Sequence, residues 1–381
     1  MTNKLSLRDF SIALALLVVW VFFAFAAKEF LSPRNLTMLV IELSVTATLA
    51  LGMLLVLLPG QIDLSAGSGL ALIGGVEAVL IFHQGWPSPL AMLVGLAIAM
   101  LLWALMGALI VKQRVPAFII TLGGLLTFKG LFLKTINMTT VPIATGGGDN
   151  LASLLTTYYL PAWGGYALAA IAVALLGWTT LKSRTQRTRL GLEVEERETA
   201  FYRWLIPSQA ILLAIIILHQ FRGIPLCLLI LGVLAVFVHI LTRHTPFGRH
   251  LYAIGGNEEA ARLSGIPVDR VMILAFTLMG AVVALTGFLQ TAYAGSSSTT
   301  QGELMELDAI AACVIGGTSL RGGRGTVTGL LMGSLFMISL LNGMNLCTEL
   351  FPPFAKFVAR GVVLVLAVWM DVVLSRRAAR A

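Results

Sequence analysis

An all-α fold, a polytopic transmembrane helical bundle of about 10–12 spans with glycine-broken helices, follows from three observations. First, of 381 residues 58% are hydrophobic and 12% are charged, with a mean hydropathy of +0.92; charged residues make up about a quarter of an ordinary soluble domain. Second, apolar runs of about 20 residues recur along the whole chain and leave no room for a soluble domain between them. Third, Lys and Arg gather in some of the intervening segments and are absent from others. The net charge of +8 therefore reads as topology rather than as a nucleic-acid surface.

Within this single transmembrane domain, 1–381, candidate spans fall at 10–31, 36–59, 65–83, 88–111, 117–134, 163–181, 205–221, 224–243, 271–294, 308–320, 326–346 and 354–374. No small-residue cleavage site follows the first run, so it reads as a retained span rather than a signal peptide. The 308–320 run is short and reads as half a helix or a re-entrant piece. Cys227, Cys313 and Cys347 lie in or beside apolar runs without metal-ligand spacing and read as small core residues; no metal site is expected.

Charge sets the orientation. Lys4 and Arg8 precede the first run, Lys112 and Arg114 follow the fourth, and Arg376, Arg377 and Arg380 end the chain. Segment 182–204 carries Lys182, Arg184, Arg187, Arg189, Arg197 and Arg203, and segment 243–270 carries Arg243, Arg249, Arg262 and Arg270. The 84–87 turn and the 135–162 loop hold no Lys or Arg. Both termini, a loop at 182–204 and a loop at 243–270 are therefore expected in the cytoplasm, with 135–162 outside. Lys28, Arg34, Lys129, Lys134 and Arg222 break the pattern, most of them near span ends, where long side chains reach the interface.

The most informative segment is a polar island, Gly255-Gly256-Asn257-Glu258-Glu259-Ala260-Ala261-Arg262-Leu263-Ser264-Gly265-Ile266-Pro267. Asn257 is a good N-cap, and Glu258 and Glu259 fall in a first turn, where the helix dipole favours negative charge. Gly265 can take the left-handed conformation that closes a helix, and Pro267 blocks continuation. So short a helix is marginal alone, so an external contact is expected to hold it.

Two glycine-rich breaks echo each other: Gly60-Gln61-Ile62-Asp63-Leu64-Ser65-Ala66-Gly67-Ser68-Gly69 and Gly316-Gly317-Thr318-Ser319-Leu320-Arg321-Gly322-Gly323-Arg324-Gly325. Each lies between two apolar runs, as interrupted helices of repeat-built transporters do. Polar residues at these depths are pore or gate candidates: Asp63 and Ser65 in the first break, Glu306 and Asp308 before the second, and Asn342 and Asn345 in the following run. Each has a structural alternative. Asp63 stands where an N-cap would, Glu306 and Asp308 suit a solvated loop with a capping acid, and the asparagines suit helix–helix hydrogen bonding. Glu42 and Glu77 are further intramembrane acids without an evident partner.

No catalytic constellation is visible. Gly317–Arg324 lacks the Lys-Ser/Thr ending of a Walker A loop, neither H-E-x-x-H nor G-x-S-x-G occurs, and the His residues are scattered. An ion-gradient carrier would call for paired acids and bases forming a relay, whereas these acids are isolated.

The stretch Tyr252–Ile266 resembles the cytoplasmic signature of ABC importer permeases of the ribose/xylose/arabinose family. So do Leu307–Leu320 and Ile62–Ser68, in family order, and the resemblance covers about residues 36–134 and 224–374. The added segment 135–223, Asn342-Gly343-Met344 and Ala367-Val368-Trp369-Met370-Asp371 look like its xylose members. Arg321 with Arg324 is a departure, since related permeases tend to carry smaller or different residues there. The resemblance implies a permease that imports a pentose, D-xylose first, across a bacterial inner membrane, and that itself catalyses nothing. It implies a second permease copy, a cytoplasmic ABC ATPase that carries ATP and Mg, and a periplasmic sugar-binding protein as partners. No cofactor is then bound by this chain, and surrounding lipid is the remaining partner. The island, through Gly255, Gly256, Asn257, Glu258, Glu259, Arg262 and Gly265, becomes the ATPase-coupling element, with Glu258, Glu259 and Arg262 as contact candidates.

Overall fold

A computed structural model describes residues 7–144, 149–192, 194 and 196–378. The chain runs α1 (Leu7–Ala26), α2 (Pro33–Leu57), α3 (Ala66–Phe82), α4 (Ser88–Gln113), α5 (Ala117–Thr135), β1 (Val141–Pro142), α6 (Leu151–Thr157), α7 (Ala162–Arg189) and α8 (Arg197–His219). It continues with α9 (Leu226–His244), α10 (Pro246–Gly256), α11 (Glu258–Leu263), α12 (Val268–Ala294), β2 (Ser296–Ser297), α13 (Met305–Ile315), α14 (Val327–Leu346) and α15 (Pro353–Ala378). Among the described residues, 9 helices are long and apolar enough to cross a membrane. The fold is thus the expected helical bundle.

The centre of the bundle is α2, buried without interruption from residue 44 to residue 59. Its hydroxyls cause no orphan polar atoms there, because Ser44 and Thr48 donate to the carbonyls of Val40 and Ser44, one turn back. Helix α12 packs against α2, α3 and α4, and α13 and α14 close the other side. By contrast α7 buries only Gly165 and Ala169 and packs chiefly on α8, so this pair forms an outlying hairpin.

Contacts sort the loops into two ends. At one end β1 pairs antiparallel with β2, Leu160 N–H donates to the Ile224 carbonyl, and Leu151 N–H donates to Ser88 Oγ. At the other, Gly323 N–H donates to the Leu58 carbonyl at 2.8 Å, and α10 packs on both. The 308–320 run is resolved by this division. Its helix, α13, has 11 residues, about 16 Å of rise, which is about half a hydrocarbon core. Residues 299–304 form turns that lead from β2 into α13, so the chain passes from one end to the other as a turn-rich loop followed by a half-length helix.

One expected boundary is corrected. Segment 182–204 is not a loop throughout; α7 runs to Arg189 and α8 starts at Arg197, leaving 190–196 between them. Lys, Arg, Gln and Thr can continue a helix beyond the bilayer, and α7 stops only where Gly191 and Leu192 donate back to the carbonyls of Thr188 and Arg187. Lys4 and Arg380, used for orientation, lie outside the described residues. Two of the exceptions to the charge pattern have local partners: Lys129 Nζ donates to the Thr299 carbonyl at 2.8 Å, and the Arg222 guanidinium lies 5.8 Å from the Tyr159 ring centre.

Candidate functional site

The island folds as its residues dictate. Asn257 caps α11, its side-chain oxygen accepting from Ala260 N–H at 2.9 Å, and Glu258 and Glu259 occupy the first turn. Gly265 (φ +81°) and Ile266 donate to the carbonyls of Arg262 and Ala261, which closes the helix with a Schellman motif. Gly255 and Gly256 belong to the end of α10 rather than to the capped helix.

Of the expected contact residues, Arg262 is occupied at home. It pairs with Glu258 at 3.1 Å and with Asp269 at 2.8 Å. Those two carboxylates, Asp269 foremost, raise its pKa, so the guanidinium is held charged and staples α11 to the start of α12. Glu259 and Leu263 instead face outward, Leu263 at 85% exposure. Beside α11 a groove of about 500 Å³ is lined by Gln61, Arg114, Pro116, Glu258 and Arg262, so the α4–α5 turn shares this face. The sequence offered Arg114 only as an orientation marker.

What lies beneath the island is a joint made of backbone. A Cβ on Gly255 would overlap the Leu58 carbonyl oxygen and the Gly323 nitrogen, and would stand 2.9 Å from the Gly322 carbonyl carbon. A Cβ on Gly322 would stand 2.8 Å from both Gly255 Cα and Gly60 N. One turn before Gly255, Tyr252 Oη donates to the Gly325 carbonyl at 2.8 Å. Burial pushes the Tyr252 phenol pKa up, which keeps it a donor. Thus α10 touches both glycine breaks at once, residues 58–65 and 316–326. Each break opens with the same helix stop, Gly60 and Gly317 at φ +84° and +98°. The structural correspondence therefore pairs Gly60 with Gly317, one residue from the sequence echo. Both breaks lie at the same end, so the flanking helices run in the same sense and are not inverted.

The pore or gate candidates do not form one group. Asp63 is fully buried; its carboxylate accepts from Ser65 N–H at 2.8 Å, Ser65 Oγ at 2.6 Å and Trp103 Nε1 at 2.6 Å. The carboxylate thus holds Ser65, the N-cap of α3, and an indole that nothing in the sequence singled out. Glu306 is packed so tightly on the first turn of α3 that a Cβ on Gly67 would overlap its Oε2. Asn342 bridges two helices: Asn35 Nδ2, on α2, donates to its Oδ1 at 2.9 Å.

Asp308 and Asn345 do meet, in a polar cavity of about 300 Å³ among α2, α12, α13, α14 and α15. It is also lined by Glu42, Gln290, Tyr293, Gln301, Glu303 and Arg360. Tyr293 Oη donates to Glu42 Oε1 at 2.8 Å, and Arg360 Nε lies 3.0 Å from Asp308 Oδ1. An Arg and a Tyr inside apolar runs were the sequence signals for this site, since charges at membrane depth face protein, water or a path. A second large cavity, between α4, α9 and α12, is lined by Leu, Met, Phe and other apolar side chains, so polarity is not general to the gaps in this bundle.

A profile described as the permease component of a branched-chain amino acid transport system matches residues 35–368. The chain belongs to this permease family. The permease is 39% identical to the xylose transport system permease protein of Escherichia coli (strain K12) over 98% of its own length and 94% of that protein. It is 38% identical to the Haemophilus influenzae protein of the same name, covering 97% of each. It is 32% identical to the ribose import permease protein of Escherichia coli (strain K12), covering 94% of the permease and 92% of the relative. No solved structure matches it. The permease is a multi-pass membrane protein whose relatives are permeases of sugar transport systems.

Proposed function

We propose that this chain is the transmembrane subunit of an ATP-driven importer that moves a pentose, D-xylose first, from periplasm to cytoplasm. Its observation is the joint: an exposed, capped helix pair seated by bare backbone on both chain breaks, at the end where the basic segments lie. Such an element suits a cytoplasmic ATPase gripping α11 and displacing the breaks through α10. In this reading the α10–α11 end, segment 182–204 and both termini are cytoplasmic, and the membrane is a bacterial inner membrane. ATP and Mg reside on the ATPase, a second permease copy completes the pore, and a periplasmic binding protein delivers sugar at the opposite end. A partner drives the switch only by binding its two states differently. The names of the relatives supply the pentose; this chain's polar cavity is compatible with it.

A carrier powered by an ion gradient is the competing reading, favoured by Glu77, which is fully buried in α3 with neither carboxylate oxygen hydrogen-bonded among the described residues. Uptake of labelled D-xylose by proteoliposomes separates the two. The importer reading expects uptake only with ATP, the ATPase and the binding protein present. Uptake by the chain alone, driven by a proton or sodium gradient, would replace it with the carrier.

A further inference from the structure

Delivery by a separate binding protein would let the membrane subunit be an unselective passage. The polar cavity argues otherwise. We propose that it is a binding subsite for a neutral polyhydroxy solute, so that the membrane chain itself takes part in selecting the sugar. This rests on the importer reading above.

Size is the first argument. About 300 Å³ is at the lower end of ligand pockets, and corresponds to about ten waters' share of liquid. The second is an orphan. Gln301 is 5% exposed and lines the cavity; its Nε2 donates to Thr291 Oγ1 at 2.7 Å, while its Oε1 has no partner among the described residues. A buried amide oxygen left unpaired is costly, and a ligand hydroxyl would satisfy it.

Third, the lining matches hydroxyls better than an amino acid. A carboxylate ligand would seek a guanidinium, but Arg360 is already 3.0 Å from Asp308, and Glu42 already accepts from Tyr293. Three carboxylates, Glu42, Glu303 and Asp308, face the single guanidinium of Arg360, so the lining disfavours an anionic group, while Gln301, Asn345 and the remaining carboxylate lone pairs still offer donors and acceptors. Hydroxyls, which donate and accept without net charge, fit such a set. Arg360 acts as a positioning residue for Asp308.

Saturation-transfer NMR on the full-length permease in nanodiscs, with D-xylose as probe, tests the subsite because it registers millimolar binding. Saturable binding is expected, displaced by xylitol and not by L-valine. Loss of one ligand hydrogen bond in Gln301→Ala or in Asn345→Ala should weaken it about tenfold. Asn345 is exposed and its side chain makes no hydrogen bond to other described residues, so its variant keeps the test independent of folding. No saturable binding, binding unchanged in both variants, or displacement by L-valine would each overturn the subsite. ATP-driven D-xylose uptake by the complete complex, measured in parallel, keeps the two claims apart. Uptake without permease binding ends the subsite alone, whereas no uptake under any partner combination ends the importer reading.

Discussion

At one end of the molecule, three chain segments meet with no side chain between them; toward the other, a partly open cavity is shaped by polar side chains. At Gly255 and Gly322 the separations leave no space for a methyl group, and at Gly60 one would press on the Arg321 carbonyl oxygen at 3.1 Å. Around Asp308, Arg360, Glu42 and Tyr293 the spacing is set by ion pairs and hydrogen bonds. The first region is a matter of shape and rejects any added atom. The second is a matter of donors and acceptors and tolerates a change of volume better than a change of chemistry. A moving part transmits displacement best through rigid close contact, while a passage for a polar solute must replace its hydration.

The sharpest break of this contrast is Gly322→Ala. A Cβ there meets Gly255 Cα, Gly60 N and Leu58 O within 2.9 Å, and the residue sits at φ +86°. Left-handed strain of about 1–2 kcal/mol adds to overpacking of about 1–3 kcal/mol. ATP-driven uptake should fall at least tenfold, while the NMR response of the cavity to D-xylose stays.

Next comes Trp103→Phe, between the two regions. Among the described residues it removes the only donor to Asp63 Oδ2 and leaves a buried carboxylate oxygen unpaired. Thermal unfolding in detergent should report a loss of about 1–3 kcal/mol.

Tyr252→Phe is smaller. It cuts the bond to the Gly325 carbonyl and keeps the ring, a loss of about 1 kcal/mol. Uptake should drop severalfold, and an unchanged rate would confine the joint to Gly255. Smallest is Glu258→Gln. Its pair with Arg262 is about half exposed, so after screening it contributes at most about 0.5 kcal/mol. Protection of α11 amides against hydrogen exchange should fall only slightly, since Asp269 still holds Arg262.

Much of the scaffold was legible in the sequence because its signals are local. Apolar length placed the long spans, and Asn257 with Gly265 marked both ends of α11, since caps depend on neighbours along the chain. The joint was not legible. That Gly255 belongs to α10, and that it meets Leu58 and Gly323, are facts of packing between segments far apart in sequence. Asp63 was half read: its place just before α3 was visible, but that Ser65 is the N-cap and that an indole 40 residues on is its partner were not. The cavity was missed for a similar reason. Asp308 and Asn345 stood out as polar residues in apolar runs, but Glu42 lacked a visible partner until Tyr293 was brought beside it.

The most direct test of the account places a crosslinkable Cys at Glu259, on the outward face of α11, in an otherwise unaltered chain and in one carrying Gly255→Ala. Crosslinking to the ATPase and ATP-driven D-xylose uptake are then measured on the same preparations. The account predicts an equal crosslink in both, and uptake at least tenfold lower with Gly255→Ala, because the grip survives while the joint beneath it is displaced. Uptake at the unaltered rate with Gly255→Ala, or no crosslink to the ATPase in either chain, would contradict it.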